Sequence, residues 1–190
     1  MLENKEIKKI NLPLTAEVVS GLRAGDRVRL NGKIYTARDA AHRRLVDLLE
    51  KGDPLPVDLQ GQTLYYAGPS PAKPGYVIGS AGPTSSYRMD SLTVPLLEIG
   101  LKGMIGKGVR SNEVVQAMQR YGAVYFCAVG GAAALISRSI IKAEVVAYED
   151  LGPEAIYCLT VNDFPAIVAI DAQGNDLYQI GPEDWRKGRE

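Results

Sequence analysis

The stretch from Ser111 to Ala128 limits the possible folds more than any other part of the chain. Residues 112–121 carry a helical period. Ser111 stands where its hydroxyl can accept an orphan N–H of the first turn, and Gly122 follows where a left-handed cap is wanted. Residues 123–128 are then apolar throughout, which predicts a strand. A helix that delivers the chain straight into an apolar strand belongs to a layered α/β fold.

The same alternation continues on either side. Thr15 caps a short predicted helix over residues 14–19. Residues 27–30 and 33–36 alternate polar and apolar around Asn31-Gly32, the dipeptide suited to a type I′ turn, which predicts a β-hairpin. Residues 38–51 repeat apolar positions at Ala41, Leu45, Leu48 and Leu49 and stop at Gly52, so a helix is expected, with Asp39 in its first turn complementing the dipole. Short β-like runs at 63–66 and 76–78 each lead into a glycine-proline loop. A helix over 84–97 opens at Thr84 or Ser85 and ends or bends before Pro95. Residues 102–105 read as a strand entering Gly106-Lys107-Gly108. Beyond Gly130-Gly131 come a small-residue helix, strands at 144–148, 155–160 and 166–170, and a turn at Gln173-Gly174-Asn175. The expectation is an α/β fold with a mixed sheet or sheets, hairpins at both flanks, and a single domain over residues 1–190.

Twenty-two basic residues balance twenty-two acidic ones, so no bulk field draws the chain to nucleic acid or to an anionic membrane. Anion recognition, where it occurs, must be local. No apolar run reaches the length of a bilayer span, and residues 1–10 alternate charged and apolar side chains unlike a signal peptide, so a cytoplasmic protein is expected. Cys127 and Cys158 lie in apolar segments and read as buried thiols rather than a disulfide or a metal site. Two thiolates are too few for a four-iron cluster, so a cluster, if involved, needs another chain to hold it.

Three segments combine charge with glycine at predicted element ends: Thr36-Ala37-Arg38-Asp39-Ala40-Ala41-His42, Gly82-Pro83-Thr84-Ser85-Ser86-Tyr87-Arg88-Met89-Asp90, and Gly103-Met104-Ile105-Gly106-Lys107-Gly108. Each places a cation or hydroxyl where backbone N–H groups are free to meet an anion. Two guanidinium groups and an ammonium suit a small dicarboxylate, since arginine grips carboxylate oxygens bidentately and lysine acts as a point charge. Arg38 and Arg88 at helix starts oppose the dipole, a local conflict typical of sites. Gly106-Lys107-Gly108 can equally be a plain turn, and Thr84 a plain helix cap. Asp39 and Asp90 are placed to orient the arginines. His42, four residues after Arg38, can face substrate, orient the arginine or be structural. Tyr65, Tyr66, Tyr121 and Tyr125 read as core.

At these segments the sequence resembles the C-terminal domain, or separate β subunit, of class I fumarases and L-tartrate dehydratases. The resemblance runs through Arg38-Asp39-x-x-His42, Ala67-Gly68-Pro69, Gly82-Pro83-Thr84-x-x-x-Arg88-Met89, Gly106-Lys107-Gly108 and Gly174-Asn175. It implies a swivelling β/β/α domain acting as one half of an iron–sulfur hydro-lyase. The implied reaction is fumarate hydration to (S)-malate, with tartrate dehydration to oxaloacetate as the alternative. It also implies a 4Fe-4S cluster held through three cysteines of an α subunit, in a dimer of heterodimers, with the open iron as Lewis acid. By the same resemblance Arg38, Arg88 and Lys107 hold the substrate, and Lys107 counts with Thr84 as catalytic. Thr84 also binds it and is the base that takes the proton beside a carboxylate, and the acid for the leaving hydroxyl belongs to the partner. Tyr87 departs from the small residue expected before Arg88 and bears on which diacid fits. A reading from another class remains: a non-catalytic module that binds a carboxylate or assembles with a partner.

Overall fold

The computed structural model describes residues 6–128 and 133–187. Among these residues seven strands make one sheet: β1 (Lys8–Asn11), β2 (Arg27–Thr36), β3 (Thr63–Tyr65), β4 (Gly103–Gly106), β5 (Val124–Cys127), β6 (Ile140–Ala147) and β7 (Ile156–Ile170). Their order is β1-β2-β3-β4-β5-β7-β6, and β2 also pairs with β7. The sheet therefore closes on itself as a ring of β2, β3, β4, β5 and β7, with β1 and β6 attached outside it. β1 to β5 pair in parallel, whereas β7 runs antiparallel to β2, β5 and β6.

Parallel neighbours need crossovers, and helices supply them. α1 (Ala16–Gly21) precedes β2, α2 (Asp39–Lys51) joins β2 to β3, α3 (Asp90–Glu98) precedes β4, and α4 (Asn112–Tyr121) joins β4 to β5; α5 (Ala133–Ser137) and α6 (Leu177–Lys187) follow. The predicted punctuation holds at three of these. Thr15 accepts the Val18 N–H at 3.2 Å, Ser111 accepts the Val114 N–H at 3.3 Å, and Gly52 and Gly122 close α2 and α4 in the left-handed region. α3 begins later than predicted, after a 3₁₀ turn at Ser86–Met89, and runs through Pro95. Residues 76–78 form no strand. Gly130-Gly131 lies outside the described residues.

The hairpin expected at Asn31-Gly32 is replaced by one continuous strand. Both of its halves pair with β7, from Arg27 opposite Ile167 to Tyr35 opposite Cys158, so the chain has no reason to reverse. Gly32 instead sits at a bulge with φ 119°, and a Cβ there would lie 2.9 Å from the Leu12 carbonyl oxygen. Its backbone freedom serves a close approach of β2 to the chain after β1 rather than a turn. The strands expected at 155–160 and 166–170 are likewise one strand, β7.

Alternation along β3, β4 and β5 divides the apolar side chains into two cores. Tyr65, Ile105, Val124 and Phe126 point into the ring and pack with Leu30, Leu159, Phe164 and Val168. Leu64, Tyr66, Met104 and Tyr125 point outward under α2, α3 and α4, against Leu45, Leu96 and Met118. Each fully buried side chain of this size contributes roughly 1.5–3 kcal/mol. The ring is thus anchored on both faces, and the carboxyl ends of β2, β3, β4 and β5 share one edge.

Candidate active site

That edge carries the predicted residues. β2 is followed by Ala37, whose N–H continues the ladder to the Tyr65 carbonyl at 3.1 Å, and then by Arg38 as the N-cap of α2. Beyond β4 the backbone of Lys107 is held against the 84–86 segment. The Lys107 N–H reaches the Thr84 carbonyl at 3.3 Å, and the Ser86 N–H reaches the Lys107 carbonyl at 2.9 Å. Thr84 is fixed in turn by its own N–H, 2.6 Å from the Tyr66 carbonyl at the end of β3. Gly106 has to be glycine: a Cβ there would overlap Ser86 Oγ. Parallel sheets commonly bind ligands outside the carboxyl ends of their strands, where loops are free to present side chains.

Asp39 connects the two arginines. Arg88 Nε donates to Asp39 Oδ1 at 2.9 Å, and Arg38 Nη2 lies 3.9 Å from Asp39 Oδ2 and 3.3 Å from Glu154 Oε1. Gly68 leaves room for this arrangement, since a Cβ there would come within 3.0 Å of Arg38 Nη1. The pairing is incomplete: Arg38 Nε and Asp39 Oδ2 are buried without a hydrogen-bond partner among the described residues. Lys107 is exposed and enters none of the ion pairs described. A half-buried guanidinium whose Nε lacks a partner, and an ammonium in none of these ion pairs, have capacity left for an anion.

His42 lies beneath the edge. It is fully buried, with Nδ1 3.0 Å from the Arg38 carbonyl oxygen and its ring edge-on to Tyr66 at 5.2 Å. Burial pulls its pKa down to about 4, so the ring is neutral near pH 7. Because a carbonyl only accepts, Nδ1 carries the proton and Nε2 is bare, with no hydrogen-bond partner among the described residues. His42 therefore acts on the backbone of Arg38 at the helix start and does not face the edge.

Asp90 does not orient Arg88. Its Oδ1 takes Arg110 Nε at 2.6 Å and its Oδ2 takes the Ser111 N–H at 2.7 Å, because α3 and α4 pack side by side and bring Arg110 nearer than Arg88. Arg110 is an unpredicted member of the assembly. Its side chain is fully buried, donates to Thr93 Oγ1 at 2.8 Å and to the Tyr66 hydroxyl at 3.3 Å, and stacks on the rings of Tyr66 and Tyr125. Tyr66 and Tyr125 are core, as expected, yet their hydroxyls work. Tyr125 donates to the Gly108 carbonyl at 2.9 Å and lies 2.9 Å from Ser86 Oγ, pinning both sides of the Lys107 turn. Tyr178 of α6 accepts the Gly108 N–H at 3.1 Å and donates to Cys127 Sγ at 3.2 Å, with burial pushing its pKa up to about 12. Arg110 had a sequence signal, a cation directly before the Ser111 cap, but Glu154 and Tyr178 had none.

Cys127 and Cys158 are unpaired thiols. Among the described residues no group of three or more His, Cys, Asp or Glu converges to hold a metal ion, so this donor set does not fit an iron–sulfur cluster. No helix among them is long and apolar enough to cross a membrane.

The carboxyl edge of this mixed α/β ring thus carries a cationic rim, Arg38 and Arg88 linked through Asp39 and, on neighbouring loops, Lys107 bridged by its backbone to Thr84. The chain belongs to the fumarase C-terminal family, whose model matches residues 1–181. It is 41% identical over 172 residues to a Methanocaldococcus jannaschii protein provisionally named the β subunit of an L(+)-tartrate dehydratase, covering 87% of this chain and 88% of that one. It is 39% identical over 178 residues to the aerobic class I fumarate hydratase of Escherichia coli and 41% identical over 179 residues to the anaerobic one. In both cases 93% of this chain is matched to only 32% of the relative, so the chain spans about a third of those fumarases.

Proposed function

We propose that this chain is the β subunit of a two-subunit iron–sulfur hydro-lyase that interconverts fumarate and (S)-malate. The observation that carries the reading is the Arg38–Asp39–Arg88 linkage beside the Thr84–Lys107 bridge, which gathers groups far apart in sequence at one strand edge. Arg38, Arg88 and Lys107 hold the two carboxylates. Thr84, in contact with the diacid, takes the proton from the carbon beside a carboxylate during malate dehydration. The cationic rim favours the negative charge this requires, because charge is stabilised most where donors are fixed in advance. The hydroxyl leaves as water with a proton from the partner subunit.

The 4Fe-4S cluster is assigned to the α subunit, and the working unit is a dimer of heterodimers. The swivelling β/β/α arrangement belongs to the same proposal and has to accommodate the closed five-strand ring. The two unpaired cysteines suit a cytoplasmic setting.

A second substrate, L(+)-tartrate giving oxaloacetate, is carried by the 41% identity to the relative named for that reaction. Anaerobic reconstitution of the chain with its cysteine-bearing partner, iron and sulfide separates the readings. Malate dehydration faster than tartrate dehydration supports fumarase, and the reverse order supports the tartrate enzyme. An intact heteromer that turns over neither diacid contradicts both and leaves a binding module.

A further inference from the structure

β6 ends the sheet order, hydrogen bonded to β7 on one side and, among the described residues, to nothing on the other. An edge of eight residues is normally blunted by charge or covered, because its free N–H and C=O groups invite another strand. This edge keeps Ile141, Val145 and Val146 between 41% and 57% exposed. Its two charges, Lys142 and Glu144, pair with each other at 2.9 Å.

We propose that β6 is a self-association surface, pairing antiparallel with β6 of a second copy of this chain in a register centred on Ala143. A two-fold axis normal to a sheet leaves each side chain on its own face. Directly opposed residues must then share a face, so the register centres on a residue and never between two. Centring on Lys142 or on Glu144 sets like charges against each other, which is destabilising. Centring on Ala143 sets Lys142 against Glu144 of the second copy, twice by symmetry. It also brings Ile141 near Val145, again twice, with two small methyl groups at the axis. The bulges at Ile140/Lys142 and Val145/Ala147 leave a regular ladder from Lys142 to Val145, which holds the axis residue and both charges of the register, with Ile141 in the first bulge.

β6 runs in the same direction as β2, since both oppose β7. The two copies therefore turn their Arg38–Arg88–Lys107 edges in opposite directions, leaving each open to a further subunit. The inference rests on strand geometry alone and stands whichever substrate the site takes.

Sedimentation equilibrium of the full chain from about 1 to 100 µM tests it, because the association of identical chains is set by concentration. The wild type dimerises. Glu144→Lys and Lys142→Glu each weaken the dimer by roughly tenfold or more, since two attractive cross-strand pairs become repulsive, while circular dichroism shows the same fold. The double exchange, Lys142→Glu with Glu144→Lys, restores it. A wild type that stays monomeric, a dimer indifferent to the single exchanges, or a double exchange as weak as the singles overturns the proposal.

Discussion

Turned inward, β3, β4 and β5 place Tyr65, Ile105, Val124 and Phe126 in an apolar ring interior; turned outward, the same strands set Tyr66 and Tyr125 against Arg110, with His42 beside Tyr66 and with Asp90 and Thr93 on Arg110. Inside the ring even the Tyr65 hydroxyl is absorbed by a loop carbonyl, that of Ala81, at 2.5 Å. Outside it, the polar atoms run by hydrogen bonds to the backbone that carries Arg38, Thr84 and Lys107. One face of the sheet makes the frame rigid. The other spends its burial on charge and hydroxyl groups that fix a loop geometry, which an apolar layer cannot do.

The comparison breaks most sharply at Arg110. Arg110→Leu takes the cation from the Asp90 carboxylate and the donor from Thr93 Oγ1 and the Tyr66 hydroxyl, and lowers unfolding free energy by roughly 3–5 kcal/mol in urea titrations. Ile105→Val, its counterpart inside the ring, costs about 1 kcal/mol and leaves the KM for the diacid unchanged. A neutral Arg110→Leu would show that the outer layer is not held by charge.

His42 sharpens the contrast through pH. Its folded pKa of about 4 lies below the ordinary 6.5, so the unfolded chain binds the proton first. The associated stability, roughly 3 kcal/mol, is complete above pH 6.5 and is lost as pH falls toward 4. In His42→Gln that part of the slope disappears. If the slope of stability against pH is the same in both proteins, His42 is not held neutral by its surroundings.

The smallest effect is at the rim of the outer layer. Tyr178→Phe removes the acceptor for the Gly108 N–H and costs about 1 kcal/mol. In the reconstituted enzyme it slows turnover severalfold through the Lys107 turn, leaving the Arg38 side untouched. Unchanged turnover would separate α6 from the site.

Local signals made much of this legible in the sequence. Ser111, Gly122 and Gly52 marked α2 and α4 because caps act within a turn, and glycine beside Lys107 marked a backbone that Ser86 crowds. Asn31-Gly32 misled because its turn chemistry is local, whereas the pairing of β2 with β7 joins segments about 130 residues apart. Asp90 misled for the same reason: the nearest cation in sequence is Arg88, but helix packing delivers Arg110. Glu154 reaches Arg38 from a 3₁₀ segment that no periodicity announces.

The central claim is that the carboxyl edge grips a diacid through Arg38 and Arg88. Its most direct test is kcat/KM for malate dehydration by the assembled heteromer carrying Arg38→Met or Arg88→Met. Loss of a charge-assisted, bidentate contact predicts a fall of roughly a hundredfold in each. Values within about twofold of wild type in both would contradict it.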